Sequence, residues 1–255
     1  MTMRADYHVH LHHSPCTSDE MTAAAILEMA EKCVLEEIGL INHLHPTTDV
    51  NIFRLARQEA DAYHGRKPAK VLIGAEVDLL DQEGRTSVRE EIRDFVDFVT
   101  LAPGHHQLDW VTADFTVEPE EFLEREVCSI VAALGRYRFD ILVHPFIYVA
   151  FPKLAPHYVG ALRPGGLAPA LVDDLAAALI AGNTAFEFHC RDLIIRPEWL
   201  GGESFVASYM VMMGALRARG VRFVVGSDAH RLNQIPRSDA APTWARNTLC
   251  TINGD

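Results

Sequence analysis

Residues 70–80 read KVLIGAEVDLL. The run VLIGA at its centre does not alternate apolar with polar, as a half-exposed strand would; it has the pattern of a strand covered on both faces. ILV (141–143) and FVVG (223–226) have the same character. Working outwards, strands are expected at 5–11, 38–44, 70–80, 98–104, 140–146, 184–190 and 221–230. Helical segments separate them. TSDE (17–20) is read as opening the first, with Thr17 three residues ahead of Glu20 in a capping-box pattern. Ile26, Leu27, Ala30, Val34 and Leu35 then fall at helical spacing. Further helices are expected at 51–64, 87–95, 120–137, 171–182, 205–220 and 242–250, with Gly182 ending the fifth. Seven βα units in succession, with no linker or low-complexity segment, define a parallel sheet, either closed as a barrel or open and doubly wound.

Composition narrows the function classes. The chain has 255 residues, 49% hydrophobic and 23% charged, enough for one domain (1–255) with a large core. A net charge of −12 argues against nucleic acid and acidic membranes as partners, since both call for a basic face. The five cysteines are odd in number, scattered and without a CxxC, so a disulfide framework is not expected and a reducing compartment fits. MTMRADYHVH at the start has no apolar signal segment, and no apolar run approaches the ~20 residues of a membrane helix. A cytoplasmic location is the expectation.

The histidines carry the chemistry. Of thirteen, eleven fall at or just after the C-terminal end of an expected strand: His8, His10, His12, His13, His43, His45, His105, His106, His144, His189 and His230. Glu76, Glu187 and Asp228 join them at matching places. The C-terminal strand ends are where a parallel barrel performs chemistry. In His8-x-His10 the two imidazoles leave the strand on the same side, and Asp228-x-His230 repeats the spacing. Imidazole with carboxylate is a donor set for zinc, manganese or iron.

The ordered set DYHVH, INH, GAE, PGH, VHP and VGSDAH resembles the PHP (polymerase and histidinol phosphatase) superfamily, over residues 6 to about 232. The short interval from Glu76 to His105 is closest to its single-domain, histidinol-phosphatase-like branch. The resemblance implies a distorted, TIM-like (β/α)7 barrel with three metal ions at the C-terminal strand ends. By position, His8, His10, Glu76 and Asp228 would hold one ion. Glu76 would bridge to a second, held by His105 and His144, with His106 as the alternative to His105. His43 and His230 would hold a third with a ligand from the loop after the first strand. That position is commonly His or Asp in the family; here it falls on Cys16, with Asp19, His12 and His13 as alternatives. A thiolate there would favour zinc over manganese.

The implied reaction is hydrolysis of a small phosphate monoester by a water bridging two ions, which would be hydroxide at neutral pH. Glu76, Asp228 and His230 are the expected catalytic residues, the last two as candidate proton donors to the leaving group, with a metal-bound water as the alternative donor. Arg191 or Arg196, after strand six, and Arg231, after the last ligand motif, are the expected phosphate contacts, and Arg163 lies in the Pro/Gly loop. Glu187 and His189 would orient ligands, and Phe146, Tyr148, Phe151 and Trp199 would wall the pocket. Two other readings compete. An amidohydrolase also begins with HxH and ends with Asp, but commonly bridges its metals with a carboxylated lysine in strand four; the lysines here are Lys32, Lys67, Lys70 and Lys153, none of them in that strand. A barrel that binds metal without catalysis is the third.

Overall fold

The computed structural model describes residues 5–147, 158, 162, 167–191 and 203–235. Seven strands, β1 (Ala5–His10), β2 (Glu37–Leu44), β3 (Lys70–Asp78), β4 (Phe98–Ala102), β5 (Ile141–Leu142), β6 (Ala185–His189) and β7 (Phe223–Gly226), form one sheet in chain order. Every pairing is parallel. Between them run the helices α1 (Ala23–Lys32), α2 (Asn51–Ala62), α3 (Pro119–Arg136), α4 (Pro169–Ala181) and α5 (Glu203–Ala218). The sheet's two edges meet at a parallel bridge between Val9 and Ala229, where the His10 N–H donates to the Ala229 carbonyl at 2.9 Å. Ser227 N–H adds a bond to Asp6 Oδ1 at 3.0 Å. Of the two parallel arrangements open to the sequence, the chain takes the nearly closed, TIM-like barrel, which leaves little strand edge unpaired.

The strands face apolar layers on both sides, as their unbroken apolar runs require. Ile41, Leu72, Phe98, Ile141, Ala185 and Val224 belong to one small buried cluster. An even number of residues further along β2, β3 and β6, on the same face, come His43, Glu76 and Glu187. The same strand faces therefore pass from an apolar plug to a polar end. β1 reaches both zones through a register shift between Asp6 and Val9: Tyr7 joins the apolar cluster and His8 the polar end, the re-aiming that a bulge allows.

Several local expectations are corrected. The first helix is capped by Thr22, whose Oγ1 accepts from Ala25 N–H at 3.2 Å, and not by Thr17. Residues 14–21 are held in turns instead, tied across the β1–β7 seam by Ser18 N–H to the His230 carbonyl. The segment 87–95 forms a 3-10 helix over Glu90–Asp94. The fifth strand is two residues long, because His144 (φ 32°) and Phe146 (φ 62°) leave the extended conformation. Gly182 is right-handed (φ −77°), and Asn183 (φ 53°) makes the left-handed turn that closes α4. The expected helix at 242–250, with Arg163, Arg196, Tyr148, Phe151 and Trp199, lies outside the described residues. Among the described residues no helix is long and apolar enough to cross a membrane.

Candidate metal centre

The ladder itself assembles the centre. β2–β3 register sets His43 directly beside Glu76. β1 delivers His8 and His10, and the turns after β4, β5 and β7 deliver His105, His144, Asp228 and His230. Glu76 is fully buried, and its two oxygens face different imidazoles. Oε1 lies 2.9 Å from His144 Nε2 and 3.5 Å from the Nε2 atoms of His8 and His105. Oε2 lies 2.8 Å from His43 Nδ1 and 3.3 Å from His10 Nε2. Asp228 Oδ1 is 3.1 Å from His10 Nε2 and 3.5 Å from His8 Nε2. The His230 ring stacks on His10 with centroids 4.3 Å apart. Asp228 (φ 52°) and His144 both sit in left-handed backbone that a non-glycine residue adopts at a cost, a strain that clusters at functional sites.

Ligand atoms converge within 4.8 Å of one another in the groups His8–His10–Glu76, His8–His144–Asp228, His43–Glu76–His105 and His10–His43–His230. The structure thus brings together His8, His10, Glu76 and Asp228, sets both His105 and His144 on Glu76, and sets His43 near His230. Cys16 Sγ lies 3.2 Å from His43 Nε2. His106, by contrast, packs edge-on against Phe115 and Phe122, each 5.7 Å away. His12 and His13 face Glu59, and Asp19 is exposed.

Two carboxylates stand behind the imidazoles. Glu187 Oε1 takes His8 Nδ1 at 2.8 Å, and its Oε2 accepts the His144 N–H at 2.7 Å. Asp78 Oδ1 takes His105 Nδ1 at 2.8 Å, and its Oδ2 takes His45 Nδ1 at 2.7 Å and Trp110 Nε1 at 2.9 Å. A carboxylate on one ring nitrogen fixes the tautomer and points the other nitrogen at the shared site. Sequence reasoning missed Asp78. Its signal was present, since Glu76-x-Asp78 has the same i, i+2 spacing as His8-x-His10. Asp6 was missed as well; it is buried and accepts the backbone N–H groups of His8 and Ser227. Burial pushes its carboxyl up to about 6. Arg191, expected to meet phosphate, is buried with Nη2 3.1 Å from Asp228 Oδ2, and it also donates to the Asp228 carbonyl. Arg231 is exposed.

The donor set fits a cation. His43 Nδ1 and Glu76 Oε2 approach to 2.8 Å, yet both are buried with no hydrogen-bond partner among the described residues. Leaving such groups unsatisfied costs about 1–3 kcal/mol each, and an ion taking both lone pairs removes that cost. Burial would raise Glu76, but the imidazoles around it, protonated His105 and His8 among them, outweigh it and hold the carboxyl well below the usual range. Burial pushes His43 down to about 3 and His230 to about 4, so both are neutral, as a ligand must be. Cys16 is open to solvent on one side; desolvation on the other, with the charges of Glu76 and Asp228, pushes its thiol up to about 11. The buried His, Glu and Asp groups can hold a metal ion. Neither protein-family models nor curated proteins give a match to the chain.

Proposed function

We propose that the chain is a metal-dependent phosphoesterase acting on a small phosphate monoester, a hydrolase of the PHP type that its motifs resemble. Two or three divalent transition ions would serve it, zinc foremost and manganese or iron next. One observation carries this reading: Glu76 offers Oε1 to His8, His105 and His144, and Oε2 to His10 and His43. A carboxylate whose oxygens serve two sets of imidazoles is disposed to bridge two ions. A neutral ring ligates one ion only, so in a three-ion site His43 would go with His230 and Cys16 and leave His10 on Oε2 of Glu76.

When bound, the ions supply Lewis acidity and an activated water, the needs of phosphoryl transfer to water. The chain's own groups orient and neutralise. Asp228 is ionised and His230 neutral, so both are ready to hold a cation and to accept a proton rather than give one. Arg191 turns Asp228 towards His10 before it can serve a phosphate, while Arg231 follows His230 directly and is the more accessible of the two. The β4 residue beside Glu76 is Thr100 and not lysine, which weighs against the amidohydrolase reading. The expected substrate is a phosphorylated small molecule. The test is metal analysis followed by assay of phosphomonoesters, phosphodiesters and amides after loading with zinc or manganese. Turnover of monoesters supports the proposal. Turnover of amides alone transfers it to the amidohydrolase class, and a folded protein that takes up no metal ends it.

A further inference from the structure

We propose that His12, His13 and Glu59 form a second metal site, separate from the centre on Glu76, for a divalent transition ion such as zinc. The two histidines are neighbours in sequence, and in a strand they would point to opposite faces. Here β1 has ended at His10, and the chain turns through them: His12 N–H donates to the Met21 carbonyl and Ser14 N–H to the Leu11 carbonyl. The turn swings both rings to one side, with centroids 4.2 Å apart. Both then face one carboxylate of α2. His12 Nε2 lies 3.0 Å and 3.2 Å from the two oxygens of Glu59, and His13 Nε2 lies 3.3 Å from its Oε1.

Those nitrogen–oxygen separations, hydrogen-bonding distances in the metal-free protein, also suit an ion, and the three ligand atoms lie within 4.8 Å of one another. With zinc–nitrogen and zinc–oxygen bonds of ~2.0–2.1 Å, neighbouring donors of a tetrahedron stand about 3.3 Å apart. Two imidazoles and a carboxylate make a recurrent zinc donor set, and a fourth position can be left to water. The three side chains are 31%, 12% and 34% exposed, so an ion and its water have access. None of the three belongs to a ligand group around Glu76. Glu59 Oε2 also receives the Ala23 N–H at 3.5 Å. An ion here would therefore clamp the β1–α1 loop, which carries Cys16, onto α2.

Equilibrium dialysis against zinc alone tests the site on the full chain, comparing the unaltered protein with Glu59→Gln and with His12→Ala/His13→Ala, each shown folded by circular dichroism. The reading is the difference in bound zinc, so the number of ions at the centre does not enter, and failure of the phosphoesterase reading leaves the test intact. One equivalent fewer in the variants is the expected result. Equal zinc in all three proteins overturns the proposal. So does a loss of two or more equivalents in Glu59→Gln, which would make these residues part of the central site. Glu59→Gln keeps an acceptor for Ala23, so it reports on the site even if the double variant does not fold.

Discussion

Asp78 Oδ1 holds His105 Nδ1 at 2.8 Å, which leaves His105 Nε2 turned to Glu76 Oε1 at 3.5 Å. The carboxylate, the imidazole and the bridging carboxylate thus form one chain across the β3–β4 pair. The same Asp78 also anchors His45 and Trp110. A carboxylate behind a ligating histidine is typically worth 10–100-fold in metal affinity. Asp78→Asn, which keeps size but loses one acceptor and the charge, is expected to weaken metal binding by about that factor. Competition with a chromophoric chelator reads it directly. Unchanged affinity would show that His105 needs no support from behind.

Proton release should accompany metal uptake. Burial would lower His105, but Glu76 and Asp78 outweigh it and raise the imidazole to about 9. Burial would lower His8 too, and Glu187 with Glu76 raises it well above its ordinary value. Without ions both rings therefore hold protons at neutral pH, whereas a ligating imidazole must be neutral. Apparent affinity is expected to climb with pH, by about tenfold per pH unit for the His105 proton until it levels off above about 9. Calorimetry of zinc binding at pH 7 in buffers of different ionisation enthalpy counts the protons. A heat that does not depend on the buffer rejects the prediction.

The fold and the centre were legible to different depths. KVLIGAEVDLL and its counterparts betray a parallel sheet because burial on both faces removes polar residues from the strand, and that is a local property. His8-x-His10 is legible for the same reason, since spacing alone decides which side a strand residue leaves from. Pairing is not local. That His43 stands beside Glu76 depends on β2–β3 register, and nothing within either strand states it. Thr17 and Thr22 are both sound caps by type; the choice falls to Ser18, which the His230 carbonyl holds from across the β1–β7 seam. Glu126 is the plainest loss, because a carboxylate on a helix with charged neighbours reads as a solvated face, and this one is buried.

Cys16 should set metal preference at the site of His43 and His230. Its Sγ is 3.2 Å from His43 Nε2, and a bound ion would draw off the proton that the metal-free thiol keeps. Cys16→Ala is expected to lose one zinc equivalent, and Cys16→Asp to shift the balance from zinc towards manganese, the harder ion. Elemental analysis after loading from an equimolar mixture of both metals reads the ratio. Full zinc occupancy in Cys16→Ala would make the cysteine a bystander.

Glu126 should make the protein less stable as pH rises. It lies in α3, buried, with the Tyr158 hydroxyl donating to its two oxygens at 2.9 Å and 2.7 Å. Burial pushes its carboxyl from near 4.5 up to about 8. The folded state therefore keeps a proton that the unfolded chain releases above pH 4.5 or so. The stability linked to that proton is full below the unfolded value and is lost as pH rises through the folded one. Glu126→Gln keeps an acceptor for Tyr158 and cannot ionise. The gap between variant and unaltered protein is expected to move in the variant's favour by roughly 1 kcal/mol per pH unit between about pH 5 and pH 8. Parallel pH profiles from urea unfolding would refute it.

Val34 is the residue most plainly out of place for its conformation. Three helices end alike. After α1, Val34 N–H bonds to the Glu31 carbonyl and Leu35 N–H to that of Ala30; after α4, Asn183 and Thr184 bond to Ile180 and Leu179; after α5, Gly220 and Val221 bond to Arg217 and Leu216. Each is a Schellman closure whose turning residue takes positive φ. At α5 that residue is glycine (φ 91°) and at α4 asparagine (φ 53°), both suited to it. At α1 it is a β-branched valine at φ 58°, a true outlier for its type. The valine is 62% exposed, so its side chain contributes little burial. Relief of about 1–2 kcal/mol of left-handed strain, less the roughly 0.5–1 kcal/mol that glycine loses in backbone entropy, leaves Val34→Gly more stable by up to about 1.5 kcal/mol. Val34→Asn should gain by the same route, with a smaller entropy loss. A raised urea midpoint with an unchanged slope is the expected reading. A midpoint that stays put or falls in both variants would mean that the turn carries no strain to relieve.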